Sequence, residues 1–212
     1  MHDPEFYLNK HSAPNKNLFS PCKVTPQDVI KTCAGTAKKT SSDCYGISQR
    51  LIIENITTLA PVIAHIWNMS IDGDGTFPTG GKKAKVVPIY KGKKLDETQF
   101  TNYRPISLLP IVGKVLERIM YDQLVEFLTT HSILYSSQYG FRKKHSTIHA
   151  MLEFVNHIGE GVDNGEVAYG IFCDLSKAFD TLHHGTLLKK LGHYGIQGNA
   201  LNWFQSYLSG RS

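Results

Sequence analysis

Apolar residues recur every three or four positions in several windows of this 212-residue chain, the spacing of a helix with one face in a core. The longest window runs through Val112, Leu116, Ile119, Met120, Gln123, Leu124, Phe127 and Leu128. Lys114, Glu117, Arg118, Asp122 and Glu126 mostly take the other side, so an amphipathic helix is expected there. Thr25-Pro26 predicts an earlier start, with Thr25 as cap and Pro26 at the first helical position. Ile47 to Ile56 is another helical window. A further helix is expected after Thr57-Thr58, with Leu59, Ile63, Ile66 and Trp67 on one face. Pro61 then falls in its first turn, where a missing N–H costs little. From Ser146, the residues Ile148, Met151, Leu152, Val155 and Ile158 form an inward face up to Gly159-Glu160-Gly161. Short helices are expected from Gly185 to Leu191 and from Asn199 to Leu208.

Two other runs read as strands. Lys85 to Tyr90 is one, and Val167 to Cys173, apolar throughout, is expected to be a buried one. The second ends in Asp174, with Phe179 five positions later. A carboxylate leaving a buried strand is costly to desolvate unless a cation or hydrogen-bond donors meet it, and a divalent ion in phosphoryl transfer meets that need. Asp72-Gly73-Asp74-Gly75 is expected to be a tight turn rather than a calcium loop. With Gly75 as the loop glycine, the twelfth position is Gly81, where a bidentate Glu is required. Residues 1–23 carry no helical or strand period.

Charge changes the picture moderately. The net charge is +5 and the pI about 8.9, which suits a polyanionic partner. Lys82, Lys83, Lys85, Lys91, Lys93 and Lys94 share one short stretch without an acid, and Arg142, Lys143, Lys144 and His145 form a second cluster. Such clusters neutralise phosphates and release counterions, or else are solvated basic loops. Cys22, Cys33, Cys44 and Cys173 have no zinc-type spacing. Without a signal peptide or a membrane span, a cytoplasmic or nuclear, non-secreted protein is expected.

Several motifs follow one another in a fixed order: Val86 to Lys94, Asn102-Tyr103-Arg104-Pro105 to Pro110, Lys114 to Glu117, Gln138-Tyr139-Gly140-Phe141-Arg142, His145-Ser146-Thr147, and Phe172-Cys173-Asp174 to Asp180. In this order the chain resembles the reverse transcriptase domain of non-long-terminal-repeat (LINE-type) retrotransposons, from about Val24 to Ser212 and most specifically from Lys85 onward. Group II intron reverse transcriptases are more distant relatives. The resemblance implies an α+β, right-hand polymerase fold, with residues 24–165 fingers-like and residues 166–212 part of a palm.

The implied chemistry is RNA-directed DNA synthesis. A DNA primer's 3′-hydroxyl attacks the α-phosphate of a deoxynucleoside triphosphate on an RNA template, with two Mg²⁺ ions (Mn²⁺ as a substitute) holding the attacking and leaving oxygens. Asp174 matches the catalytic, metal-binding carboxylate, helped by the backbone carbonyl of Leu175. Lys91, with Lys93 and Lys94 as rivals, and Arg104 match the residues that hold the triphosphate. Phe179 matches the steric gate against a ribose 2′-hydroxyl. Gln138, Gly140, Arg142 and Lys143 match the positions that place template and primer, with Gly140 allowing close backbone approach.

The family's later Gly-x-Pro-Gln-Gly-Ser segment and Asp-Asp hairpin are not among these 212 residues. The chain is therefore expected to be a polymerase fragment, inactive alone. The alternative is a non-catalytic retroelement remnant acting only as a nucleic-acid-binding module. Gly81 stands where the family commonly has Trp, which predicts a hole or a loosened loop. Ser42-Asp43-Cys44-Tyr45-Gly46-Ile47 departs from a Gly-x-Asp-Gly-Ile pattern.

Overall fold

The structure, a computed structural model, describes residues 14–92 and 95–211. Lys93 and Lys94, and most of the segment expected to be irregular, lie outside the described residues. Helix α1 spans Pro26–Cys33. It starts where the sequence places it, because Thr25 and Asp28 satisfy each other: the Asp28 N–H donates to Thr25 Oγ1 at 3.3 Å and the Thr25 N–H donates to Asp28 Oδ2 at 2.8 Å. That backbone bond also holds the Asp28 carboxyl below the usual carboxylate range.

Helix α2, Gln49–Glu54, is capped by Ser48, and Asn55 both ends it and begins α3, Ile56–Ile71. Because α3 starts ahead of Thr57-Thr58, Pro61 lies inside the helix rather than in its first turn. There it cannot donate to the carbonyl four residues back. The turn at Asp72–Gly75 follows, with left-handed backbone at Gly73 and Gly75. A Cβ at Gly75 would sit 2.0 Å from the Asn199 carbonyl oxygen, so only glycine fits.

Strands β1, Lys85–Tyr90, and β2, Tyr103–Leu108, form a two-stranded antiparallel ribbon. Pro88 faces Pro105 across it, which a ribbon with two outer edges tolerates. The remaining helices are α4, Ile111–Thr130, α5, Thr147–Asp163, α6, His184–His193, and α7, Gly198–Leu208. Helices plus one small sheet make the chain α+β in content. No helix among the described residues is long and apolar enough to cross a membrane.

The chain divides into two compact units. One holds the described residues up to Phe127 together with those from His184; the other spans Leu128–His183. The first is built around Trp67, Trp203, Phe77, Leu116, Ile196 and Val29, all fully buried. Phe77 meets Trp203 edge-on with ring centroids 5.2 Å apart, and Trp203 stacks on Tyr207 at 5.4 Å. Burying rings of this size contributes roughly 2–3 kcal/mol each.

The indole N–H groups are satisfied too: Trp67 donates to the Cys22 carbonyl at 3.0 Å and Trp203 to Ser70 Oγ at 3.2 Å. Two amide side chains hold the entering chain like a strand partner. Asn68 accepts from the Val24 N–H and donates to its carbonyl, and Gln123 does the same for Cys22. This explains a polar Gln123 within the apolar series of α4. Gly81 lines an apolar cavity of about 250 Å³ together with Tyr45, Ile66, Gly113 and Leu116, the hole expected beside it, although its own Cα is closely packed on one side. A Cβ there would lie 2.8 Å from Phe77 Cε1, and its backbone abuts Gly113.

The second unit overturns two expectations. Residues 167–173 form no strand, and Val167, Tyr169, Ile171 and Phe172 are at least 75% exposed. A strand needs hydrogen-bonded neighbours, and β1 and β2 pair only with each other. Cys173 is accordingly exposed rather than buried. Nor does α5 turn an apolar face inward: it has no buried residue, and Ile148, Met151, Leu152 and Val155 are exposed. What covers it locally is slight. Phe172 meets Phe154 edge-on at 5.4 Å, and Gly170 lies under the Phe154 ring.

Candidate functional site

The ribbon carries the first pair of candidate residues. Arg104 sits in β2 opposite Ile89, and the ladder continues past Tyr90, where the Lys91 N–H donates to the Asn102 carbonyl at 2.9 Å. Lys91 is thus one diagonal step from Arg104, within reach of long side chains. Both are exposed. The Lys91 ammonium donates to the Thr101 carbonyl. The extended backbone expected of Arg104 before Pro105 is present. A mobile ammonium beside a planar guanidinium is a pair suited to phosphate oxygens.

The other candidates belong to the second unit. The Arg142 guanidinium gathers the loop before it, donating to the carbonyls of Tyr135 at 2.9 Å, Ser136 at 3.3 Å and Gln138 at 3.4 Å. The Gln138 side chain donates to the Gly140 carbonyl at 3.4 Å. The curl so formed puts Phe141 and Lys144 in left-handed backbone, uncommon for residues with side chains. Phe141 is thereby presented to solvent, and Lys143 beside it is exposed. Gly140 has an ordinary φ and open space where a Cβ would go, so nothing within this unit approaches it closely.

Phe141 meets Phe179 edge-on, with centroids 6.0 Å apart. One aromatic contact therefore joins the 138–142 loop to the Asp174–Asp180 segment, which the sequence separates by more than thirty residues. That segment closes on itself at Lys177, whose carbonyl accepts from the N–H groups of Asp180 at 2.9 Å and Thr181 at 3.1 Å. Asp174 and Leu175 precede this turn, both exposed. Among the described residues no group of three His, Cys, Asp or Glu could hold a metal ion. One carboxylate and one carbonyl offer the hard oxygen donors that Mg²⁺ takes, but they do not make up a two-ion site.

Sequence reasoning passed over Asp43. It is buried, and its carboxylate accepts from the N–H groups of Tyr45 at 2.9 Å, Ile47 at 3.0 Å and Ile111 at 3.4 Å. It ties a loop turned by Gly46, in left-handed backbone, to the start of α4. Its local signal was an Asp two and four residues before the N–H groups it caps. The link to Ile111 had no local signal.

Comparison with known proteins bears on these residues together. A family model described as "Reverse transcriptase (RNA-dependent DNA polymerase)" matches residues 90–212, more than half of the chain. The chain is similar to the RNA-directed DNA polymerase from mobile element jockey of Drosophila melanogaster, 37% identical over 128 residues, which is 60% of this chain and 14% of that protein. The jockey polymerase of Drosophila funebris is 34% identical over 116 residues, 55% of this chain and 13% of its own. The retrovirus-related Pol polyprotein from type-1 retrotransposable element R1 of Bradysia coprophila is 33% identical over 137 residues, 64% of this chain and 13% of that one. The chain thus spans about one seventh of the length of the first of these relatives. With Lys91, Arg104, Gln138 and Asp174 all inside the matched residues, the chain belongs to the reverse transcriptase family, among the polymerases of non-long-terminal-repeat retrotransposons.

Proposed function

We propose that this chain supplies the fingers and the first palm segment of an RNA-directed DNA polymerase of right-hand fold, with residues 24–165 in the former role and 166–212 in the latter. The observation that carries the reading is the family match over 90–212, which takes in every candidate site residue. In a whole polymerase, Lys91 and Arg104 hold the triphosphate of the incoming deoxynucleotide. Gln138, Gly140, Arg142 and Lys143 place the RNA template and DNA primer. Phe179, exposed and reachable by a substrate, excludes the ribose 2′-hydroxyl by its bulk.

Asp174 and the Leu175 carbonyl are donors for Mg²⁺, with Mn²⁺ as substitute. One carboxylate cannot balance two divalent ions, so further carboxylates from elsewhere in a polymerase are required, and this chain alone does not extend primers. The bare apolar surface of α5 and residues 167–173 suits a segment covered by the rest of a palm.

The test fuses the chain in frame to the C-terminal remainder of the jockey polymerase and follows primer extension on an RNA template with Mg²⁺. The fusion should extend the primer, and Asp174→Ala should abolish extension. Activity surviving that change would sink the metal-site assignment. A second reading, a nucleic-acid-binding remnant, is favoured by the exposed basic residues Lys91, Arg104 and Lys143. It gains if the fusion is silent while the chain still binds RNA.

A further inference from the structure

Gly80, Gly81 and Gly113 meet beside the start of α4. Gly113 lies in the first turn of that helix, and a Cβ there would come within 3.2 Å of the Gly81 Cα, so the two backbones touch. The cavity of about 250 Å³ that these glycines line is walled elsewhere by apolar side chains. Ile52 comes from α2, Ile66 from α3, and Val112 and Leu116 from α4.

The cavity has few ways to close. Pro78 and Pro110 in its lining have a fixed φ, and glycines have no side chain to move inward. The Asp43 carboxylate ties the 43–47 loop to Ile111 and holds the frame open. A void that cannot collapse forfeits dispersion contacts along its walls. Water regains little of that loss. Asp43 is the one charged group in the lining, and its oxygens already accept three backbone N–H groups. A buried water needs about two to four polar partners, and an apolar cavity of about 150 Å³ stays dry and takes up benzene. This larger one has room for a bicyclic ring.

Tyr45 supplies the way in. It is 52% exposed, and its hydroxyl reaches from the 43–47 loop to donate to the Gly80 carbonyl at 3.2 Å. An exposed hydrogen bond is exchanged for one to water at little cost. We propose that this cavity is a binding site for an uncharged, planar aromatic molecule of the size of indole, admitted when Tyr45 swings away from Gly80. The flat peptide faces of the glycines and the Tyr45 ring suit a flat ligand, and the lining offers no partner to a charged one. The site stands apart from the polymerase reading, since Lys91, Arg104, Gln138 and Asp174 do not line it.

The test is a titration of the full, ¹⁵N-labelled chain with indole, followed by amide resonances. Gly80, Gly81 and Gly113 should shift saturably, with a Kd at or below about 1 mM, an efficiency ordinary for so small a ligand. Val112→Phe places a ring in the cavity and should weaken binding at least about tenfold. Ile66→Phe fills it from α3 and serves if the first variant does not fold. Indole-5-sulfonate, the same ring with a charge, should fail to displace indole from the wild type. Tyr45→Phe keeps the ring but removes the latch, so indole should exchange several-fold faster without binding more weakly. An unchanged exchange rate would remove Tyr45 as the gate. Absence of a saturable shift, shifts that survive both filling variants, or displacement by the sulfonate would each overturn the site. So would shifts confined to residues 147–172, which would mean that indole only coats the exposed apolar surface of the second unit.

Discussion

The two compact units differ in where their apolar residues go. The first folds α3, α4 and α7 around two tryptophans and a phenylalanine, with their polar edges hydrogen-bonded. The second carries as marked an apolar pattern, in α5 and in residues 167–173, and leaves it in solvent. An apolar period therefore says which face a helix would bury, not whether this chain contains the surface to bury it against. The difference sets the largest expected effect. Trp203→Ala should cost about 3–5 kcal/mol in denaturant unfolding of the chain, whereas Ile171→Ala should stay within about 0.5 kcal/mol. Equal losses would mean that residues 167–173 are packed after all.

Asp43 gives the next effect and sharpens the same comparison, because it is a buried polar group that the first unit satisfies in full. Asp43→Ala would leave the N–H groups of Tyr45, Ile47 and Ile111 without their acceptor, at a cost of about 1–3 kcal/mol. Asn can still accept through one oxygen, so Asp43→Asn should lose less. An Asp43→Asn unfolding midpoint equal to that of the wild type would show that the carboxylate's second oxygen, on Ile111, is idle.

These cases also mark how far the sequence could be read. Thr25-Pro26 located α1, and Lys85 to Tyr90 located β1, because a capping pair and a short apolar run act within a few residues. The helix from Val112 was legible because its face meets a core this chain provides. The 167–173 run failed for the opposite reason: burial of a strand is decided by partners, and no alternation encodes whether they are present. Pro61 was misplaced because Asn55 couples two helices end to end, which no residue after it announces. At the candidate site, the choice of residues rests on the resemblance. The three carbonyls on Arg142 and the contact of Phe141 with Phe179 depend on a loop curl with no sequence period. The same is true of Asp43, whose partner Ile111 lies far along the chain.

A smaller effect lies at the C-terminal edge of the first unit's core. Tyr207 stacks on Trp203, Arg211 covers its ring at 3.9 Å, and Arg211 pairs with Glu117 at 3.1 Å. Burial first, and the Glu117 charge second, push the Tyr207 phenol up to about 12, with Arg211 opposing. A phenol that stays protonated longer in the folded chain contributes stability that is complete below its ordinary value near 10. That contribution is lost as pH rises through 10 toward 12. The loss should be about 1 kcal/mol, reduced from the full linkage value because the ring is only half-buried. Tyr207→Phe should lack this loss. Parallel stability curves for the two proteins between pH 9 and 12 would refute the assignment.

The smallest effect tests the aromatic contact between the 138–142 loop and the Asp174–Asp180 segment. An edge-to-face pair is worth about 0.5–1.5 kcal/mol, and with both rings largely exposed the lower end is expected for Phe141 and Phe179. A double-mutant cycle of Phe141→Ala and Phe179→Ala, read by amide hydrogen exchange in residues 138–144, should give a coupling near 0.5 kcal/mol. Global stability should stay unchanged, because neither ring enters the buried core. A coupling of this size means Phe179 is held by the loop yet can leave it at little cost. A gate against ribonucleotides needs that freedom, since the ring must settle against a sugar rather than remain on Phe141. Zero coupling would detach Asp174–Asp180 from the 138–142 loop. A coupling of several kcal/mol would make Phe179 a structural residue and remove the physical basis for calling it a gate.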